Sequence, residues 1–182
     1  MKPERIGIIG TLQWELSDVL SRLDSRRRLP AEGPRLWEGS FGGRPVVVAE
    51  CGVGRFQAER ATALLTDRYS LPALVCIGFC GATSETCRPG DVVLCSSVSW
   101  AYQPSGEADW TRGGAARSDD FLMRLGAEVL RSENIPFHLT VGLTVDRLID
   151  DPGTKAHLGR SLGASVVDME SYWIARRARG RV

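Results

Sequence analysis

Short apolar runs alternate with longer segments of helical periodicity along this chain. The strand-like runs are RIGIIG, RPVVVAE, ALVCIGF, DVVLCSSV, FHLTVGLTV and ASVVD. The helical patterns are LQWELSDVLSRL, GRFQAERATALLTDRY, SDDFLMRLGAEVLRSE, a short one near TKAHLGRSL, and MESYWIARRA. Runs such as VVVA and LVCI lack strict alternation, which indicates strands buried on both faces of a mainly parallel or mixed sheet. The sequence therefore predicts an α/β fold.

Length and charge narrow the class of protein. The 182 residues, with 43% hydrophobic residues and a formal net charge of +1, predict one globular domain over residues 1–182. Near-neutral charge gives no electrostatic reason to expect nucleic acid or an anionic membrane as partner. The basic runs at 26–28 and 176–179 are predicted to be solvated helix ends, where cations suit the helix dipole.

The sequence shows no pattern typical of a targeting signal or of a metal site. The N-terminus does not have the pattern of a signal peptide, and no apolar window approaches about 18 residues, so we expect a cytoplasmic protein. The five cysteines are odd in number and form no C-x-x-C pair. This pattern indicates free thiols that act as small buried hydrophobic residues in a reducing compartment. With only His138 and His157 to add, we predict no metal site, and we predict no cofactor.

Ligands of open α/β sheets bind beyond the carboxyl ends of the strands, so the residues that follow each strand are the candidates. The first strand is followed by Glu15, and the run SVV is followed by Asp168 and Glu170. The turn CGVG matches neither a dinucleotide nor a Walker phosphate motif. Glu15 could instead be a helix-dipole partner, and Asp168 a helix cap. Residues 99–118 show no clear period and are predicted to be an irregular pocket rim.

Four motifs in order carry a family resemblance. GIIGTLQWEL, CGVGRFQA, CIGFCGATSETCRPGDVVL and VVDMES resemble the nucleoside phosphorylase and nucleosidase superfamily, in particular the 5′-methylthioadenosine/S-adenosylhomocysteine nucleosidases. VDMES is also similar to the hopanoid-associated nucleosidase branch. The resemblance runs from Ile6 to about Ala178. It implies a three-layer α/β/α sandwich with a central mixed sheet, and a purine nucleoside as the small-molecule partner.

The resemblance also implies roles for individual residues. Glu170 would accept hydrogen bonds from both ribose hydroxyls, as an ionised carboxylate with two acceptor oxygens can. Met169 would pack against the sugar. Glu15 would position and deprotonate the water that attacks the anomeric carbon.

Walls of the purine pocket are implied as well. The turn containing Gly78 and Phe79, and the stretch around Leu148 and Ile149, would form them. Phe79 stands where the family has a small serine, and Leu148 where it has an aromatic residue that stacks on the base. Phosphorylases of the superfamily carry an arginine at the position of Cys76, so water is the predicted nucleophile.

The family's last strand, last helix and catalytic aspartate have no counterpart in this sequence, since no aspartate follows Glu170. The resemblance therefore assigns the leaving-group acid to no residue. The predicted activity is adenine-nucleoside hydrolysis. The alternatives are a noncatalytic nucleoside-binding relative and, third, a purine nucleoside phosphorylase. The resemblance also implies a homodimer, with Trp100, Tyr102 and Trp110 of residues 99–118 as candidate interface aromatics.

Overall fold

A computed structural model describes residues 2–105, 107 and 109–178. The strands are β1 (Ile6–Gly10), β2 (Asp24–Leu29), β3 (Arg35–Phe41), β4 (Arg44–Glu50), β5 (Leu74–Cys76), β6 (Gly81–Ala82), β7 (Val92–Tyr102), β8 (Thr111–Arg117), β9 (Phe137–Thr144) and β10 (Val166–Asp168). The helices are α1 (Ser17–Ser21), α2 (Arg55–Arg68), α3 (Asp120–Ser132), α4 (Pro152–Leu162) and α5 (Ser171–Ala178). None of the described helices is long and apolar enough to cross a membrane.

Contacts divide the chain into two compact units. The N-terminal unit comprises Met1–Phe79 with Arg176–Val182, and the C-terminal unit comprises Cys80–Ala175. The prediction of one domain over residues 1–182 stays a prediction.

The N-terminal unit is built on a five-stranded mixed sheet of order β2-β3-β4-β1-β5. Strands β4, β1 and β5 are parallel, and β2 and β3 run antiparallel to their neighbours. A core of buried residues lies at this sheet, formed by Leu16, Leu20, Leu23, Trp37, Val46 and Val48. Because the three parallel strands end at one edge, the loops that follow Gly10, Glu50 and Cys76 begin side by side.

The C-terminal unit has its own five-stranded mixed sheet, of order β6-β10-β9-β7-β8. Here β7, β9 and β10 are parallel, and the register pairs Trp100 with Thr144 and Thr144 with Asp168. A second core consists of Ala101, Trp110, Leu143, Val145, Ile149, Leu158, Ala164 and Val167. The carboxyl ends of three parallel strands therefore meet beside Glu170.

The predicted α/β class with mixed parallel strands is confirmed. Most apolar runs became strands, and β4 has the bounds of RPVVVAE. The strands are shared between two sheets, one in each unit. Helix α1 is shorter than the predicted pattern over 12–23, because Glu15 and Leu16 take part in turns instead.

Two local predictions were wrong. The basic run 26–28 lies on β2, not at a helix end, where it forms an exposed edge strand. Charged side chains suit an edge because they discourage pairing with another chain. The segment 99–118 is not mainly irregular, since it holds the end of β7 and all of β8, paired antiparallel. The strand TRGGAAR has weak strand propensity, and its neighbour in the sheet supplies the pairing.

The other basic run is where the sequence predicted it. Arg176 and Arg177 occupy the last turn of α5, and Arg179 lies outside the described residues.

Candidate functional site

The Glu15 carboxylate is fixed by main-chain donors from two loops of the N-terminal unit. The amides of Thr11 and Leu12 donate to Oε2, each at 2.9 Å. The amide of Phe79, which follows β5, donates to Oε1 at 3.1 Å. A carboxylate offers about four acceptor positions, so one on Oε1 remains beyond these three. The side chain is half-buried, and its orientation is set by the backbone.

A side chain at Gly78 would crowd this carboxylate. A Cβ added at Gly78 would lie 3.1 Å from Oε1 of Glu15 and 3.3 Å from its Cδ. Leu16, the residue after Glu15, is fully buried and anchors this loop to the core. The structure thus brings together three of the predicted site residues: Glu15, Gly78 and Phe79.

Two aromatic rings lie beside Glu15. Trp14 and Phe79 stack with their centroids 4.7 Å apart and an interplanar angle of 17°. Trp14 is 60% exposed and Phe79 is 65% exposed, despite their size. The position of Trp14 was not singled out from the sequence, although a tryptophan directly before a candidate catalytic acid was the available signal. The pair gives the rim at Glu15 a flat apolar surface.

The C-terminal unit holds Glu170 in a tight turn between β10 and α5. Glu170 is 7% exposed, and its carbonyl accepts the amides of Trp173 at 2.9 Å and Ile174 at 3.1 Å. Met169 beside it is half-buried. The turn is therefore part of the start of α5.

A side-chain network supports this turn. Thr144 Oγ1 donates to Asp168 Oδ1 at 2.6 Å, and the same hydroxyl accepts the amide of Tyr172 at 2.9 Å. Asp168 Oδ2 accepts the amide of Ser171 at 3.1 Å, as a capping carboxylate does. Thr144 was missed from the sequence, although a polar residue at the carboxyl end of an apolar strand was a usable signal.

Burial raises the pKa of two groups in this unit, Asp168 and Cys95. Burial raises the pKa of Asp168, although hydrogen bonds from Ser171 and Thr144 act in the opposite direction. Burial, with the neighbouring thiols and Asp168 adding to it, raises the pKa of Cys95 to about 12. The nucleophile of cysteine chemistry is the thiolate, so the raised pKa disfavours Cys95 as a nucleophile at neutral pH.

An aromatic cluster packs behind Glu170. Trp173 contacts Tyr172 edge-on at 4.8 Å and Trp100 at 5.3 Å. Two glycines of β8 make room for it, because a Cβ at Gly113 would lie 2.5 Å from the Trp100 ring and one at Gly114 would lie 2.2 Å from the Tyr172 hydroxyl. The weak strand TRGGAAR is thus fitted to the aromatic residues that it covers.

The two predicted purine-wall residues have different environments. Leu148 is 78% exposed, whereas Ile149 is 7% exposed and belongs to the core cluster of the C-terminal unit. Their roles stay predictions, as do those of Met169 and Glu170. Trp110 is also buried in that core and lies under the guanidinium of Arg147, 4.8 Å from the ring centroid.

The described residues contain no group of three or more His, Cys, Asp or Glu side chains that could hold a metal ion. All five cysteines are free thiols. Two are buried, Cys95 is half-buried, and Cys76 and Cys80 are exposed.

A family model described as the phosphorylase superfamily matches residues 5–181. The chain belongs to the phosphorylase superfamily. A 5′-methylthioadenosine/S-adenosylhomocysteine nucleosidase from Tolumonas auensis is 24% identical over an alignment of 182 positions, gaps included, that covers 94% of this chain and 78% of that relative. Alignments with other curated nucleosidases cover 56% of those relatives. The chain thus spans little more than half their length.

Solved structures agree on the fold of this superfamily member. A nucleosidase of the same name from Neisseria meningitidis, in complex with methylthio-immucillin-A, superposes with a TM-score of 0.85 at 19% identity, covering 98% of this chain and 80% of that one. A futalosine hydrolase mutant from Helicobacter pylori gives a TM-score of 0.86 at 18% identity, covering 97% and 83%. Both likenesses establish the fold.

Proposed function

We propose that this chain hydrolyses the N-glycosidic bond of an adenine nucleoside of the methylthioadenosine or adenosylhomocysteine type and releases adenine. The observation that carries the proposal is the Glu15 carboxylate, which three main-chain amides hold at the carboxyl edge of a parallel sheet. Membership of the phosphorylase superfamily and relatives named as nucleosidases support the same chemistry.

Glu15 acts as the general base in this proposal. Its amide contacts leave one acceptor position on Oε1, which can accept a proton from an attacking water. The amides also prevent the carboxylate from turning away as the ribosyl cation develops. The stacked rings of Trp14 and Phe79 limit the access of bulk water on one side.

Glu170 and Met169 bind the ribose in this proposal. A carboxylate with two acceptor oxygens holds a vicinal diol in one orientation. The short turn before α5 and the Thr144–Asp168 contact limit the movement of Glu170. The proposed purine walls are the turn with Gly78 and Phe79 and the stretch with Leu148 and Ile149, of which Leu148 is exposed and Ile149 is buried.

Water is the proposed nucleophile because, among the described residues, the loops after β1 (11–16) and after β5 (77–80) contain no lysine or arginine that could bind phosphate. The position that carries an arginine in phosphorylases is here Cys76, the last residue of β5. Arg35 contacts the loop that carries Glu15, but its guanidinium already forms an ion pair with Glu50. An arginine binds phosphate well only when its guanidinium donors are not already used in another ion pair.

Turnover assays test the proposal. Purified chain is incubated in phosphate-free buffer with methylthioadenosine, adenosylhomocysteine or futalosine, the last because a structural relative is a futalosine hydrolase. Release of the free purine base that falls about 10²–10⁴-fold in Glu15→Gln, the usual contribution of a general base, supports the proposal. Glu59→Gln, which alters an exposed ion pair with Arg55, is the control. Binding without release favours the noncatalytic alternative, and strict dependence on phosphate favours the phosphorylase.

Calorimetry separates the diol role from catalysis. Glu170→Gln should weaken adenosine binding by about 1.5–3 kcal/mol, the range for hydrogen bonds to charged groups. It should bring the affinity for adenosine close to that for 2′-deoxyadenosine. An unchanged preference for the intact diol would remove Glu170 from this role.

We also propose a homodimer. Trp100 and Tyr102, stacked at 4.8 Å and half-buried, are aromatic residues of the kind that interface centres favour. Trp110 contributes to the core instead. Sedimentation at micromolar concentration tests this proposal, and a monomer throughout would contradict it.

A further inference from the structure

A guanidinium connects the end of β4 to the loop that carries Glu15. Arg35, the first residue of β3, forms an ion pair with Glu50 through Nη2. Its other terminal nitrogen, Nη1, donates to Oε1 of Gln13 at 2.8 Å. Gln13 lies two residues before Glu15, so the contact reaches the turn that presents the carboxylate.

Glu50 is an anchor for this arginine. It is only 8% exposed, and its Oε2 is buried without a hydrogen-bond partner among the described residues. A buried carboxylate costs several kcal/mol unless it is paired, so Glu50 strongly favours the Arg35 rotamer that pairs with it. The planar guanidinium directs its two donors in fixed, different directions. The ion pair through Nη2 therefore fixes the direction in which Nη1 points, and Nη1 in turn holds the side chain of Gln13.

The turn at Gln13 transmits that position to Glu15. The carbonyl of Gln13 accepts the amide of Leu16 at 3.1 Å, and the carbonyl of Leu12 accepts the amide of Glu15 at the same distance. These bonds make residues 12–16 one compact unit of backbone. Through Arg35, the Gln13 side chain ties that unit to β3, which lies on the far side of β4 from β1.

We propose that Arg35, held by Glu50, is a positioning residue that aligns the Glu15 carboxylate through Gln13. The catalytic consequence rests on the proposed function, whereas the structural consequence does not. Misplacement of a catalytic group by about 1 Å can cost up to 10²-fold in rate. We expect loss of one tether out of several to cost about tenfold in kcat.

Amide hydrogen exchange tests the structural part without any turnover. The amides of Thr11, Leu12 and Phe79 are protected by the Glu15 carboxylate. Arg35→Ala and Gln13→Ala should speed their exchange about tenfold, whereas Val48 in β4 should not change. Arg35→Lys should behave like the alanine variant, because one ammonium does not reproduce the two-pronged contact.

Arg27→Ala is the matched control, since Arg27 forms an ion pair of 2.9 Å with Glu38 in the same sheet. It should leave exchange at Thr11 and Leu12 as in the parent. Unchanged exchange at these amides in Arg35→Ala, or an equal increase in the control, would overturn the proposal.

Kinetics test the catalytic part. Arg35→Ala should lower kcat about tenfold with KM changed less than about twofold, the pattern for a group that acts in the transition state rather than in substrate binding. The double variant with Gln13→Ala should be no worse than either single variant, because both act through one contact. Additive losses would overturn the pathway through Gln13. A parent chain without turnover defeats the proposed function, and the exchange data then decide the positioning role alone.

Discussion

Glu15 and Glu170 are held by different kinds of contact. The Glu15 carboxylate rests on three main-chain amides, whereas the turn of Glu170 rests on a side-chain network of Thr144 and Asp168. Main-chain donors persist whichever side chains the loop carries, provided that the loops keep their shape. A side-chain network depends on the identity of each member.

This difference predicts how the two regions respond to mutation. At Glu15 the sensitive positions are those where added atoms would displace the carboxylate, and Gly78 is foremost among them. At Glu170 the sensitive positions are those that donate or accept in the network. Substitutions in the first region should change rate more than stability, and those in the second should do the reverse.

The largest effect is expected for Gly78→Ala. Its Cβ would stand 3.1 Å from Oε1 of Glu15, so the carboxylate must shift or lose the amide of Phe79. Since a shift of a few tenths of an ångström suffices, we expect a loss of about tenfold in kcat/KM with little change in Tm. Amide exchange at Phe79 should speed up even if the parent shows no turnover. Gly126→Ala is the control, because its Cβ would make ordinary contacts with Leu94. Parental exchange and rate in the Gly78 variant would show that the carboxylate is not confined.

Thr144→Val should have the next largest effect, this time on stability. Valine keeps the shape but removes the hydroxyl that donates to Asp168 and accepts from Tyr172. Leaving such buried partners unsatisfied costs about 1–3 kcal/mol in the free energy of unfolding. Thr140→Val is matched, since Thr140 lies on the same strand and its hydroxyl makes only a 3.5 Å contact. Equal denaturant midpoints for the two variants would contradict the network's importance.

The same contrast explains what the sequence could predict. Glu15 and Glu170 were recognisable because each follows a strand whose apolar run is evident, and β4 was predicted to the residue. Arg35 was not recognisable, because its contact with Gln13 spans 22 positions and depends on the register of β3 against β4. Strand β8 was missed for a similar reason, since its glycines fit aromatic residues that are distant in sequence. Contacts set by local pattern were predictable, and contacts set by sheet register were not.

A smaller effect is expected on the pH dependence of stability, which should differ in sign between Glu38 and Asp168. Burial acts to raise the pKa of Glu38 in the N-terminal unit, but hydrogen bonds from Arg27 and Tyr69 and the charge of Arg5 outweigh it, so that the pKa is lowered. Its stabilising contribution is therefore complete above the unfolded pKa of about 4.3 and is lost as the pH falls through the folded pKa. Asp168 has a raised pKa, so its contribution is present at low pH and is lost as the pH rises.

Glu38→Gln should consequently destabilise the chain by about 1 kcal/mol at pH 7, and this difference from the parent should shrink on acidification. For Asp168→Asn, the advantage of the parent should instead grow as the pH falls. Urea unfolding between pH 7 and pH 3, followed by unit-resolved amide exchange, measures both trends. Glu32→Gln, at an exposed position, is the reference. Parallel trends for the two variants would contradict the opposite pKa shifts.

The smallest effect concerns the exposed wall residue Leu148. Its side chain is 78% exposed, so a larger side chain there meets no packed neighbour that it would have to displace. Under the proposed function, Leu148→Phe adds an aromatic face to the purine wall, and aromatic stacking contributes about 0.5–1.5 kcal/mol beyond burial. Adenosine should therefore bind roughly two- to tenfold more tightly by calorimetry, with Tm unchanged. Leu139→Phe on β9, where the parent side chain is 59% exposed, controls for added surface aromaticity. An equal gain in the control, or no gain at Leu148, would mean that this residue does not face the base.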